Sequence, residues 1–179
     1  MHYFLAIPMH FILTRLILSC LLMFSVVAAA EKNTLQSINI EITSHLGDQQ
    51  QFQQNDVLSF LLSLDKDAYV YVIYEDALQQ LVQIIPNNIQ QSHFYKAGFF
   101  ISVPAENSAF QFIVQPPFGK ETLWVFATDS ASVTLAGQFQ PAGLKRLKAD
   151  IKSIRKQIKQ QSKQIWGEAF FSLVTGDGS

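Results

Sequence analysis

The segment 56–74, DVLSFLLSLDKDAYVYVIY, contains two runs of alternating apolar residues separated by the polar residues 65–67. Such runs on either side of a short aspartate-rich turn predict a β-hairpin. A three-residue turn would place Leu64 opposite Ala68, Leu62 opposite Val70, Phe60 opposite Val72 and Leu58 opposite Tyr74. Because opposite residues point to the same side of a sheet, one face of this hairpin is apolar throughout. We expect that face to lie in the core.

Other short segments with strand character lie on both sides of this one, at intervals of about ten residues. Proline, glycine and asparagine separate them, whereas the Gln-rich segment 45–55 is expected to be a loop. This pattern predicts an all-β fold, an antiparallel β-sandwich of the immunoglobulin-like or a similar type, over residues 31–140. A last strand and a tail are expected within residues 167–179. The predicted strands are 35–43, 78–85, 94–103, 109–115, 122–128 and 168–175.

Between residues 141 and 166 the apolar residues follow a helical spacing instead. The spacing predicts one long, basic, amphipathic helix over residues 144–165, with an apolar seam formed by Leu147, Ile151, Ile154 and Ile158. Three interpretations of this helix are open: docking on the chain's own acidic body, a coiled coil with another chain, or adhesion to an anionic membrane. Burial of aliphatic side chains contributes more free energy than exposed ion pairs do. We therefore expect the helix to dock within the chain or onto an acidic partner.

The N-terminus predicts export. Residues 16–30, LILSCLLMFSVVAAA, follow Arg15 and end in an A-x-A pattern, which is typical of a signal peptide covering residues 1–30. Cleavage before Glu31 would place the mature chain in the periplasm or outside the cell, with no stable membrane insertion. The alternatives are attachment to the membrane through an uncleaved signal or through a lipidated Cys20.

Composition and charge exclude several classes of function. The mature chain would contain no cysteine, and neither His45 nor His93 lies in a metal-ligand spacing. No glycine-rich phosphate loop or nucleophile elbow is present, so the sequence predicts no catalytic residues, no cofactor and no metal. Residues 31–140 carry 4 Lys or Arg and 11 Asp or Glu, whereas residues 141–165 carry 8 and 1. The acidic body argues against a nucleic-acid partner.

Two hypotheses about function remain. The first is a non-catalytic module of the cell envelope that binds a protein, peptide or glycan partner. Among its many aromatic residues, Tyr71, Tyr95 and Phe118 are the better candidates for an exposed binding surface. The alternative is a hydrolase that uses carboxylates from separate loops. The densest carboxylates are better explained by turn chemistry, and these are Asp65, Asp67, Glu75 and Asp76.

A set of short motifs resembles a known family, the bacterial domain-of-unknown-function family 4384. In chain order the motifs are Asp56 at a strand entry, D-x-D-x-Y at 65–69, Pro86-Asn87, Phe94 to Gly98 before Pro104, and P-F-G-x-E at 117–121. The resemblance covers about residues 50–128, and the predicted C-terminal strand is a candidate for the closing strand of the same domain. It implies a β domain that is exported or attached to signalling and envelope proteins, and it brings no established catalytic residues. Asn55 stands where the family tends to have glycine, and asparagine tolerates the same left-handed backbone.

Overall fold

The computed structural model describes residues 37–47, 50–108, 110–141 and 143–178. The predicted signal peptide, its cleavage site and Cys20 lie outside the described residues. Within these residues, strands predominate and one α-helix is present. The strands are β1 (Ile40–Ser44), β2 (Gln51–Gln53), β3 (Val57–Leu58), β4 (Phe60–Leu64), β5 (Ala68–Glu75), β6 (Leu81–Ile85), β7 (Phe94–Tyr95), β8 (Ile101–Val103), β9 (Phe112–Ile113), β10 (Lys120–Thr128), β11 (Gly137–Phe139), β12 (Lys145–Leu147) and β13 (Trp166–Gly176), and the helix is α1 (Ile151–Gln161).

The strands form one large and two smaller sheets. The eight-stranded sheet has the order β11-β12-β6-β5-β10-β13-β2, with β7 also paired to β5. The second sheet has the order β1-β4-β8, and β3 pairs with β9. In the part of the chain that the structure describes, the paired strands are antiparallel except β13 and β2, which are parallel. The prediction of a mainly antiparallel β protein is confirmed.

The predicted hairpin at residues 56–74 is wrong. β4 pairs with β1 and β8, so that Leu62 lies opposite Ile42 and Ile101 rather than opposite Val70. β5 pairs with β10, β6 and β7 in the large sheet. The turn at residues 65–67 therefore connects two sheets. Since both backbone edges of β4 and both edges of β5 are occupied by other strands, the two cannot pair with each other.

The apolar face that the alternation identified does form the main core. The apolar residues at every second position of β4 and β5 belong to one cluster between the two sheets. Residues of β10 and β13 complete this first core from the large sheet. Its members from the segment 56–74 are Leu58, Phe60, Leu62, Leu64, Ala68, Val70 and Val72, with Tyr74 packed at the margin.

The helix covers the opposite face of the large sheet. Ile154 and Ile158 are buried there in a second core, together with Tyr71, Ile73 and Phe126 of the sheet. Beside this core, Arg155 forms a bidentate ion pair with Glu168 of β13. The basic helix is thus docked on its own chain through its aliphatic residues.

The helix is much shorter than predicted. It covers Ile151–Gln161, 11 residues, because the Asp150 side chain caps its N-terminus by accepting a hydrogen bond from the Ser153 N–H. Leu147 is not on the helix but on β12, which pairs with β6 and β11. Its side chain still reaches the second core. The apolar spacing from Leu147 to Ile158, which predicted a single helix, is therefore shared between a strand and a helix. No helix in the described part of the chain is long and apolar enough to cross a membrane.

Candidate ligand-binding cleft

Three polar or aromatic side chains form a row across the edge of the large sheet. Lys145 of β12 lies opposite Gln83 of β6 on one side and opposite Phe139 of β11 on the other. Opposite residues on antiparallel neighbours share a face, so all three side chains lie on one side of the sheet. Gln83 is also paired with Ile73 of the second core, which identifies this side as the one that carries the helix.

A bulge sets the orientation of Gln83. On β5 and β6, Val72 is opposite Ile85 but the next residue, Ile73, is opposite Gln83, so Ile84 is an extra residue on β6. Ile84 and Ile85 both enter the first core, whereas Gln83 lies on the other face. Bulges of this kind redirect a side chain relative to the regular alternation and are frequent beside binding sites.

The segment 86–91 forms a wall along this row. Its conformation is held by Asn87, whose Nδ2 donates to the Ile84 carbonyl at 2.9 Å and whose Oδ1 accepts from the N–H groups of Ile89 and Gln90 at 2.8 and 2.6 Å. The row and the wall border an open cleft of about 250 Å³. We call it the amide cleft, and its lining residues are Gln83, Pro86, Asn87, Asn88, Gln91, Phe139 and Lys145.

Gln83 brings an unpartnered hydrogen-bond acceptor to the amide cleft. The residue is only 5% exposed, and its Nε2 donates to the Pro86 carbonyl at 2.6 Å. That bond determines which end of the amide is which, because the reverse orientation would bring two oxygens together. The Oε1 atom is buried and has no hydrogen-bond partner among the described residues. A buried acceptor without a donor costs about 1–3 kcal/mol, which a water molecule or a ligand group that reached it would recover.

Phe139 and Lys145 form the outer part of the amide cleft. The Phe139 ring is 57% exposed, and the Lys145 Nζ lies 5.3 Å from its centroid. Neither of the two ion pairs found in the described residues involves Lys145. The lining contains amides, an aromatic ring and an ammonium group but no carboxylate. The cleft is therefore suited to hold a partly polar ligand that carries negative charge.

A second buried polar group, Glu121, is fully partnered. Its carboxylate is 6% exposed, and it accepts hydrogen bonds from the Tyr74 hydroxyl and from Thr175 Oγ1. Burial raises the pKa of Glu121 above its ordinary value, and burial together with the bond to Glu121 raises the pKa of Tyr74. Because both carboxylate oxygens are occupied within the protein, this cluster ties β5, β10 and β13 together at one end of the first core.

The carboxylates that the sequence singled out bind groups within the protein, but those of Asp65 and Asp67 bind distant segments rather than their own turn. Asp65 accepts a hydrogen bond from the Asn39 N–H at 2.8 Å, and Asp67 accepts one from the Ala97 N–H at 2.9 Å. Asp76 accepts from the N–H groups of Leu78 and Gln80. No group of three or more potential metal ligands occurs within the residues that the structure describes.

A broader cleft of about 910 Å³ lies beside β2 and the end of β13. Two carboxylates, Asp56 and Asp177, are among its lining residues. The Asp56 carboxylate accepts a hydrogen bond from the Gln53 N–H at 2.7 Å, which is a turn contact. The cleft is the place where the alternative hypothesis of a carboxylate hydrolase would apply.

The structure does not bring the three predicted surface aromatics together. Tyr71 is 1% exposed and lies in the second core, where its hydroxyl donates to the Ser130 carbonyl. Tyr95 and Phe118 are partly buried against the first core, on the other side of the large sheet. Tyr71 is therefore not available at the surface, contrary to the expectation.

The predicted seam for a partner is divided between two elements. Leu147 is on β12, Ile151 is half-buried, and Ile154 and Ile158 are buried against the chain's own sheet.

The residues of the amide cleft were missed. Gln83 is a single polar residue within an apolar strand, and only the strand register places it beside Lys145 and Phe139.

Comparison with known families bears on the origin of the cleft. Residues 51–131 match a family model described as a domain of unknown function, DUF4384. The predicted resemblance is confirmed over this segment. No curated protein and no solved structure matches the chain. The DUF4384 segment includes Gln83 and the wall 86–91, whereas Phe139 and Lys145 lie beyond its C-terminal end. The amide cleft is thus formed jointly by the DUF4384 segment and the residues that follow it.

Proposed function

We propose that the protein is a non-catalytic, exported module of the cell envelope that binds a protein, peptide or glycan partner in the amide cleft. The observation that carries this proposal is the buried, unpartnered Gln83 Oε1 atom beside an exposed phenyl ring and an unpaired ammonium group. We further propose that the two sheets packed through the first core form a β-sandwich, which serves as the rigid support of the cleft.

The proposed location rests on the N-terminal sequence. An A-x-A pattern after an apolar segment supports cleavage before Glu31 and release into the periplasm or the medium. Retention through an uncleaved signal or a lipidated Cys20 is the alternative. Either location leaves the binding module on the outer side of the inner membrane, where envelope proteins and glycans are its neighbours.

We rank binding ahead of hydrolysis because of what the two clefts contain. The amide cleft has hydrogen-bonding groups and an aromatic surface, and among the described residues neither a carboxylate nor a histidine lines it. The buried carboxylate with a raised pKa, Glu121, has both oxygens engaged by Tyr74 and Thr175. These features support recognition more than proton transfer.

Affinity capture with matched variants tests this proposal. The full chain, tagged at its C-terminus, is expressed in cells, crosslinked and recovered as wild type, as Phe139→Ser and as Arg146→Gln. Arg146 is the exposed neighbour of Lys145 on β12 and points to the opposite face. We expect a protein or glycan that is recovered with the wild type and with Arg146→Gln but lost with Phe139→Ser. Empty capture together with hydrolysis of generic esters or glycosides would contradict the proposal.

A further inference from the structure

We propose that the ligand of the amide cleft is an acidic glycan, and that one carboxylate-bearing sugar ring occupies the cleft itself. This inference rests on the proposed binding function and narrows it to one ligand class. It follows from the donor that Gln83 requires, the size of the cleft, the aromatic ring at its opening and its charge.

The position of the Gln83 oxygen favours a hydroxyl donor. The atom is buried at the inner end of the row, whereas Phe139 at the outer end is exposed. The oxygen is closed to solvent in this structure, so any donor reaches it only when a side chain of the wall shifts. A sugar hydroxyl projects from the ring on a single bond and needs little such movement. A peptide N–H is flanked on both sides by Cα atoms and their substituents, which would have to enter with it. A sugar therefore reaches the buried acceptor with less displacement of the wall.

The other lining groups match the remaining surface of a sugar. Asn88 and Gln91 are exposed carboxamides at the wall, and each offers both a donor and an acceptor, as hydroxyl groups require. The exposed Phe139 ring offers an apolar surface to the C–H face of a pyranose. A volume of about 250 Å³ is below the roughly 300–1,000 Å³ of sites that enclose a whole drug-sized ligand, which suits one ring of a longer chain.

Charge decides between an acidic and a neutral glycan. Lys145 contacts the Phe139 ring and has no anionic partner in the described part of the chain, and no carboxylate lines the cleft. An ammonium group in this position gains most from a carboxylate on the ligand. Residues 141–165, with 8 basic residues and 1 acidic residue, would also attract a polyanionic chain at a distance.

The experiment measures binding of a galacturonate tetramer to the full chain by titration calorimetry. The control ligand is the same tetramer with its carboxylates methyl-esterified, which removes the charge and adds one methyl group to each carboxyl. We expect the acidic tetramer to bind at least about tenfold more tightly than the ester, a difference typical of one charge-assisted contact. Lys145→Gln should reduce the affinity for the acid by about tenfold and leave that for the ester unchanged.

Two further variants separate the cleft from general electrostatic attraction. Arg146→Gln removes the same charge from the opposite face of β12 and should change the affinity by less than about threefold. Gln83→Leu removes the buried acceptor and should weaken both tetramers, while circular dichroism reports an unchanged fold. Equal losses in Lys145→Gln and Arg146→Gln would overturn the inference, because binding would then depend on overall charge.

A peptide ligand is the other outcome that the experiment separates. A tetraglutamate peptide is titrated in parallel, and binding as tight as that of the acidic tetramer would overturn the glycan assignment. If neither tetramer binds while affinity capture recovers a partner that is lost with Phe139→Ser, the ligand class is wrong and the proposed function stands. If both experiments fail, the proposed function fails as well.

Discussion

The two faces of the eight-stranded sheet are covered to different extents. One face is covered by the β1-β4-β8 sheet, and its buried carboxylate, Glu121, has all its partners within the protein. The other face is covered by a helix of 11 residues and leaves the edge at β6, β12 and β11 open. There the buried Oε1 atom of Gln83 lacks a partner among the described residues. The fully covered face thus satisfies its buried carboxylate within the protein, whereas the partly covered face leaves one buried acceptor unsatisfied.

The largest expected effect concerns the docking of the helix. Ile154→Ala should lower the free energy of unfolding by about 2–5 kcal/mol, because its side chain is buried against the sheet. Ile151→Ala, one turn earlier and only half-buried, should cost clearly less. Urea denaturation of both variants measures the difference. Equal losses would mean that the helix is not docked as the structure describes.

The next effect compares the two buried polar groups directly. Tyr74→Phe should cost about 1–3 kcal/mol, because it removes a donor from the buried Glu121 carboxylate. Gln83→Leu relieves an acceptor that has no partner among the described residues but also removes the Nε2 donor of the Pro86 carbonyl. The two effects offset each other, so the stability should change by less than about 1 kcal/mol. Thermal and urea unfolding of the two variants provide the test. If Gln83→Leu were the more destabilising change, the Gln83 amide would be as well satisfied within the fold as Glu121 is, and the contrast between the faces would be lost.

The smallest effect is a dependence of stability on pH. Burial raises the pKa of Glu121 above its ordinary value of 4.5, so the folded state retains a proton that the unfolded chain has released. This group favours the folded state at low pH, and the contribution is lost as pH rises from 4.5 through the folded-state pKa. From about pH 4 to pH 8, the melting temperature of Glu121→Gln should therefore rise relative to that of the wild type.

A matched control accompanies this measurement. Glu106→Gln changes an exposed carboxylate, and its melting temperature should follow that of the wild type across the same range. The comparison is of slopes, because Glu121→Gln also alters the hydrogen bonds to Tyr74 and Thr175 and so changes the stability at every pH. Parallel profiles for the wild type and Glu121→Gln would show that Glu121 has the same pKa in both states.

The amide cleft could not have been predicted from the sequence. Gln83 is far from Phe139 and Lys145 in the chain, and no motif connects it with them. Lys145 lies in a segment whose apolar spacing is compatible with a helix, yet it becomes a strand because β6 offers it an edge to pair with. The short strand β2 was missed for a related reason, since its pairing with β13 gives structure to a Gln-rich segment that has little strand character of its own.

The sequence by itself determined that residues 56–64 and 68–74 are extended and share an apolar side, since the alternation of side chains follows from the local geometry of an extended backbone. It also determined the start of the helix, because the Asp150 side chain binds the Ser153 N–H three residues later. Only the tertiary structure decided that β4 and β5 face each other instead of pairing. Pairing depends on which strands compete for each backbone edge, and the competitors of β4 and β5 are distant in the chain. The same competition produced the row of Gln83, Lys145 and Phe139.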